Sequence, residues 1–233
     1  MKSIYFLCLS AALGILGFIS RASADYTIFH GDRTLQRVAI TVDDCYNDDR
    51  IREMLDLCEQ YEIPMTFFVV GNALRQEDRA LWQRALDLGC EIGNHTFSHV
   101  RLPGLSREAI AKTLKKTQTR LDEVLGYPYT MQLMRPPYGS LSLSTRRISD
   151  SWVADAIEDA GYLHAVRWDV DETDPTKAIR DVQNGSILLY HAKFRDVRCL
   201  QRLIPDLISQ DYVCLTVSEL LNLQPPAAAP PNF

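Results

Sequence analysis

Basic residues are in the minority, and their shortage sets the first limit. Lys and Arg number 25 against 30 Asp and Glu, a formal net charge of −5. The chain therefore gives no reason to expect a nucleic-acid partner, because phosphate backbones are held by cationic surfaces. It also lacks the polybasic stretch that holds an anionic membrane. None of the six cysteines forms a CxxC pair, which excludes the common structural zinc modules. No internal repeat and no inter-domain linker breaks the interior. The 233 residues read as one domain with a sizeable core.

Long apolar runs are missing except at the N-terminus. Lys2 precedes an apolar stretch at residues 4–19, and Ala22-Ser23-Ala24 forms a small-x-small cleavage site. This is a signal peptide pattern covering residues 1–24. The mature chain would start at Asp25, exported to the periplasm or the medium. The stretch is short for a span and Arg21 follows it, so no membrane span is expected after cleavage. Cys8 lies inside the apolar stretch, too early for lipid attachment. Export permits disulfides, but five cysteines remain, an odd number. Cys199 and Cys214 flank one helix–strand unit and are the candidate pair. Cys58 and Cys90 sit in apolar contexts as small core residues. Residues 224–233 are rich in Pro and Ala and read as a disordered tail, leaving 25–223 as the domain.

Within that domain, apolar runs of strand length alternate with helical periodicity. Val38-Ala39-Ile40-Thr41-Val42 is a mostly β-branched run that reads as a buried strand. Helical spacing follows over residues 48–62, a strand over 66–70, a helix over 78–88 and a strand over 90–93. Residues 106–125 are helical, with Ser106 as N-cap and Gly126 as stop. A strand is expected over 130–134, a helix over 151–160 and a strand over 162–168. A short helix over 176–183, a strand over 186–190, a helix over 196–209, a strand over 212–214 and a last turn complete the chain. Strand and helix alternate about seven times, which implies parallel strands joined by right-handed crossovers, in a barrel or an open sheet.

The unusual polar residues nearly all follow strands, as a site on one face of such a sheet requires. Two carboxylates, Asp43 and Asp44, end the first strand, where an unpaired buried charge would be very costly. His95 and His99 follow the third, spaced i and i+4, and so are expected on one face of a helical turn where both imidazoles reach one ion. With a carboxylate they make a two-His, one-carboxylate set that leaves coordination positions open. His191 ends another strand, so three of only five histidines sit at strand ends.

Five short segments in this order resemble the motifs of the polysaccharide deacetylase family, the NodB-homology carbohydrate esterases. They are Thr41-Val42-Asp43-Asp44, His95-Thr96-Phe97-Ser98-His99 and Arg135-Pro136-Pro137-Tyr138-Gly139. Trp168-Asp169-Val170-Asp171-Glu172-Thr173-Asp174 and Leu189-Tyr190-His191 complete the set. The resemblance implies an α/β fold, a distorted barrel of about seven parallel strands. It also implies metal-dependent removal of acetyl groups from N-acetylated sugars of a carbohydrate polymer. By motif match Asp44, His95 and His99 hold the metal and Asp43 is the base. Arg135 orients Asp43, His191 is the general acid and Asp171 orients His191. Tyr138 offers its backbone N–H to an oxyanion, and Leu189 lines the acetyl pocket.

The chemistry agrees with these roles. Amide hydrolysis needs a polarised carbonyl, an activated water and a proton for the leaving amine. Adjacent residues on a strand-end loop point in different directions, so Asp44 can ligate while Asp43 stays free. Nitrogen and oxygen ligands suit zinc, and accommodate cobalt, iron or manganese.

Two positions depart from the family pattern. Cys45 stands where glycine is usual after the paired aspartates, and Pro175 where a tryptophan often closes the fourth motif. Tyr46 or Trp168 is then the candidate stacking surface for a sugar. Three other readings stay open: an O-acetyl esterase of the acetyl-xylan type, a non-catalytic carbohydrate-binding relative and a hydrolase of small cyclic amides. A non-catalytic relative should have lost a base, acid or metal position, and none is missing. Export speaks against the cyclic-amide reading.

Overall fold

The computed structural model describes residues 26–141 and 152–224. The signal segment and nearly all of the Pro/Ala-rich tail lie outside the described residues. The elements in chain order are β1 (Thr27–Ile28), β2 (Arg37–Asp44), α1 (Asp48–Tyr61), β3 (Thr66–Val69), α2 (Arg79–Asp87), β4 (Glu91–Asn94), α3 (Arg107–Leu125), β5 (Leu133–Met134), α4 (Trp152–Asp159), β6 (His164–Val166), α5 (Pro175–Asp181), β7 (Ile187–His191), α6 (Phe194–Ser209), β8 (Val213–Leu215) and α7 (Val217–Leu220).

Local chemistry explains the helix ends. The Asn47 side chain accepts from the Arg50 N–H to start α1, with Asp48 and Asp49 in the positive first turn. Ser106 caps α3 through the Ala109 N–H, and Gly126 closes it at φ 80.

Every strand ladder among the described residues is parallel. The order is β1-β6-β5-β4-β3-β2-β7, with β8 also paired to the start of β2. Two isolated bridges, His30 with Ser186 and Val170 with Leu188, bring the ends of that order together into a distorted barrel. This is the α/β architecture expected from the alternation.

The two-residue period of a strand sorts the core into two parts. Val38, Ile40 and Val42, with Phe67, Ile92, Met134, Leu188 and Tyr190, face the surrounding helices. Ala39, Phe68, Leu133, Val166 and Ile187 form a second cluster inside the barrel, closed below by Val217 and Leu220. Counting in twos along the interior face, Ala39 leads to Asp43, Leu133 to Arg135 and Ile187 to His191. The catalytic candidates are thus the polar upper ends of apolar interior columns.

β6 keeps only His164–Val166 of the strand expected over 162–168, and two other expectations change. β5 keeps only two residues of the strand expected over 130–134, because the Gln118 side chain takes the backbone there, accepting from Met131 N and donating to Tyr129 O. β1 was not foreseen; two residues are too few to show a period. No helix among the described residues is long and apolar enough to cross a membrane.

All five described cysteines are buried free thiols. Cys199 is not paired with Cys214: its Sγ lies 3.8 Å from the Tyr190 hydroxyl. Cys58 and Cys90 do sit in the core, their sulfurs 3.8 Å apart.

Candidate active site

The site occupies the carboxyl ends of β2, β4, β5 and β7. β2 ends with a reversal in backbone handedness, Asp44 at φ 68 and Cys45 at φ 63. Asp43 therefore keeps the interior direction of its strand, while Asp44 swings toward the loop after β4. The Cys45 thiol turns away from the site into the core, with Sγ 3.8 Å from the Val42 carbonyl. Burial, with Asp43 and Asp44 nearby, pushes this thiol well up. The cysteine that replaces the usual glycine is thus a core residue and not a ligand.

His95 and His99 do meet, but not on a helical turn. Thr96 at φ 64 and His99 at φ 53 break any helix. The loop is shaped instead by Asn94, whose Oδ1 accepts from the Thr96 N–H and whose Nδ2 donates to Leu114 O and to the Tyr162 hydroxyl. The imidazole centroids come to 5.0 Å. His95 is fully buried, and its Nδ1 lies 2.7 Å from the Arg135 carbonyl. Nδ1 then carries the proton and Nε2 presents a free lone pair. Burial lowers the His95 pKa, which keeps the ring neutral, the form that ligates.

Asp44 Oδ1 is 3.6 Å from His95 Nε2 and 3.3 Å from His99 Nε2. That oxygen is buried and has no hydrogen-bond partner. An orphaned carboxylate oxygen is costly unless a cation completes it. One ligand atom each from Asp44, His95 and His99 fall within 4.8 Å of one another. The donor set and the orphaned atom both fit a divalent ion of the zinc type.

Arg135 is completely buried beneath this cluster. Its Nη1 donates to Asp43 Oδ1 at 2.7 Å and to Thr41 Oγ1 at 2.6 Å. Nη2 donates to Arg167 O at 3.0 Å, and the guanidinium stacks 4.2 Å from the Phe68 ring centroid. Asp43 is thereby fixed through one oxygen. Its Oδ2 is left toward the metal cluster, 3.7 Å from His95 Nε2.

Residues 30–157 match the polysaccharide deacetylase family. A peptidoglycan N-acetylglucosamine deacetylase of Bacillus cereus is 30% identical over 198 residues, 79% of this chain and 87% of that protein. The chain belongs to the polysaccharide deacetylase family. PdaC of Bacillus subtilis, a peptidoglycan N-acetylmuramic acid deacetylase, is 29% identical over 78% of this chain, which spans only 38% of that protein. In fold, the chain is similar to Bacillus subtilis PdaA, a family 4 carbohydrate esterase: TM-score 0.73 over 84% of each chain, at 23% identity.

Within that family framework, the remaining motif residues separate into two groups. Tyr138 and Leu189 lie at the site. Tyr138 adopts φ 61 in the turn after Arg135, and its exposed ring packs edge-on to His99 at 4.6 Å. Leu189 is buried on β7 in register with Thr41. His191, partly exposed, stands in register with Asp43.

Asp171 follows Val170, the bridge partner of Leu188 on β7. It is exposed, and no hydrogen bond or ion pair joins it to His191 among the described residues. The carboxylate facing His191 is Asp196, which accepts the His191 N–H at 2.9 Å and lies 3.9 Å from Nδ1. The sequence reading passed over Asp196. Its one signal was an acidic residue five positions after a strand-end histidine, in the first turn of α6.

Pro175 is the first residue of α5, and Asp174 caps that helix through the Thr176 and Lys177 N–H groups. The fourth motif thus ends as a helix start rather than an aromatic wall. Tyr46 is exposed, whereas Trp168 is only half-exposed, with the Arg135 and Arg167 guanidiniums 5.6 and 5.4 Å from its ring.

Proposed function

We propose that this chain is an exported, metal-dependent deacetylase that hydrolyses N-acetyl groups on a carbohydrate polymer of the peptidoglycan or chitin type. The observation that carries the reading is the orphaned Asp44 Oδ1 between two imidazole nitrogens, beside an aspartate held by a buried arginine. Export rests on the signal peptide pattern of residues 1–24.

A divalent ion held by Asp44, His95 and His99, zinc by preference, would polarise the acetyl carbonyl and make a water more acidic. Asp43 takes the proton of the attacking water on Oδ2, since Oδ1 is occupied by Arg135. The water oxygen bonds to the carbonyl carbon and a tetrahedral oxyanion forms. The Tyr138 backbone N–H donates to it in this reading. The C–N bond then breaks, and His191 delivers a proton to the departing amine. Base and acid steps of this kind are each worth about 10²–10⁴-fold. Leu189 provides an apolar wall for the acetyl methyl.

The test is acetate release by residues 25–233 from N-acetylglucosamine oligomers, peptidoglycan and acetylated xylan, with and without chelator. Chelator-sensitive release from an N-acetyl substrate is expected, and Asp43→Asn should abolish it while keeping the metal. Release from xylan alone would move the protein to the O-acetyl esterases. Failure of the purified chain to bind a divalent ion would remove Asp44, His95 and His99 as ligands.

A further inference from the structure

Arg167 follows β6 directly, at the carboxyl end of the sheet where the site lies. Its guanidinium makes no hydrogen bond and no ion pair among the described residues, and its Nε is buried without an acceptor. The ring of Phe29 lies 5.2 Å from Cζ and that of Trp168 5.4 Å. Gly139 closes against it so tightly that a β-carbon there would approach Cζ and Nε to 3.0 Å. The nearby carboxylate Asp169 is already engaged by Arg33 at 2.6 Å and by Ser186. Burial, and after it the like charge of Arg135, lowers the Arg167 pKa.

A half-buried guanidinium held in a fixed pose with no counter-charge is costly, and such groups are ordinarily paired. Its planar fork matches a carboxylate in two parallel hydrogen bonds. The position is informative as well. Gly139 is the neighbour of Tyr138, whose ring contacts His99. An anion on Arg167 would therefore sit beside the acetylated sugar, with Trp168 and Phe29 flanking it. A neutral polymer offers this group hydroxyl and carbonyl acceptors but no counter-charge.

We propose that Arg167 is a subsite for a carboxylate on the polymer, so that the chain prefers acidic N-acetylated polymers to neutral ones. The proposal rests on the deacetylase reading. The same carboxylate can come from a lactyl ether, as in N-acetylmuramic acid, or from a uronic acid.

The test compares kcat/KM of the wild type, Arg167→Gln and Arg167→Lys on three oligosaccharides. They are a neutral N-acetylglucosamine oligomer, an oligomer alternating with N-acetylmuramic acid and one alternating with glucuronate. Arg167→Gln should leave the neutral substrate unchanged and lower kcat/KM about 10- to 100-fold on an acidic one, with Arg167→Lys in between. The acidic oligomer that responds names the source of the carboxylate. Added salt should weaken only the acidic substrate in the wild type, a readout that needs no variant. Equal losses on all three substrates, or no loss on the acidic ones, would overturn the proposal. If the wild type turns over none of them, the deacetylase reading fails by itself. Calorimetric binding of the two acidic oligomers then decides the subsite: weaker binding to Arg167→Gln supports it, and equal binding overturns it.

Discussion

Asp43 and His191 are register partners on adjacent parallel strands, β2 and β7. Both extend the interior face of the barrel, one strand spacing of about 4.8 Å apart. In the proposed roles, a reacting carbon above that pair would have a proton acceptor and a proton donor on neighbouring strands. Neither is a ligand of the proposed metal cluster. The arrangement separates metal binding from proton transfer, so the two can be probed by different substitutions.

His191→Ala tests the donor. An amine is a poor leaving group without a proton, whereas an alkoxide or phenoxide leaves more readily. The variant should lose about 10²–10⁴-fold on an N-acetyl substrate and much less on an aryl acetate ester. Parallel rate measurements on the two substrates check this. Equal losses on both would argue that His191 supports the fold of the site rather than the leaving group.

Asp196 and Asp171 compete for the role of orienting His191. The structure gives Asp196 the contact: it is buried, burial raises its pKa, and it accepts the His191 N–H. Asp196→Asn should lower kcat about tenfold or more, as loss of a supporting carboxylate commonly does. Asp171→Asn should leave it nearly unchanged. The reverse pattern would restore the role that the motif match gave to Asp171.

Arg135 lies between activity and stability. Removing one member of a buried ion pair leaves the other charge stranded, at a cost of about 3–5 kcal/mol. Arg135→Ala should therefore lower stability by that amount in urea unfolding and also abolish turnover. Asp43→Asn removes the charge as well as the base. In the Arg135→Ala background it should recover part of the lost stability and none of the activity.

How much of this was visible in the sequence depends on what each residue needed. Asp43, Asp44, Arg135 and His191 end apolar strands, so their position on the sheet followed from local pattern. His95 and His99 were rightly grouped for an incorrect reason: the spacing suggested a helical turn, but two left-handed residues and the Asn94 side chain build the loop. Asp196 and Arg167 were not legible. One depends on where α6 begins, and the other on the lack of a counter-charge among the described residues, which only a folded chain can show. The expected Cys199–Cys214 pair failed because proximity in sequence says nothing of which way two side chains face.

Glu91 offers a test remote from the site. It is buried at the other end of β4, where its carboxylate accepts from Ser218 Oγ at 2.5 Å, Ser218 N at 3.1 Å and Thr66 Oγ1 at 3.2 Å. Burial raises its pKa above the ordinary 4.5, and the hydrogen bonds from Ser218 and Thr66 only partly oppose the shift. Between the unfolded and folded values the native state holds the extra proton, so native stability falls as pH rises through that window. The contribution is full below that ordinary, unfolded value and gone above the folded value. Glu91→Gln keeps the shape and removes the titration. The stability of the wild type relative to Glu91→Gln should therefore decline as pH is raised from the unfolded value, then level off. Urea midpoints of the two proteins at matched pH, with the same metal loading, measure that difference directly. A difference independent of pH would mean that the Ser218 and Thr66 donors cancel the cost of burying the charge.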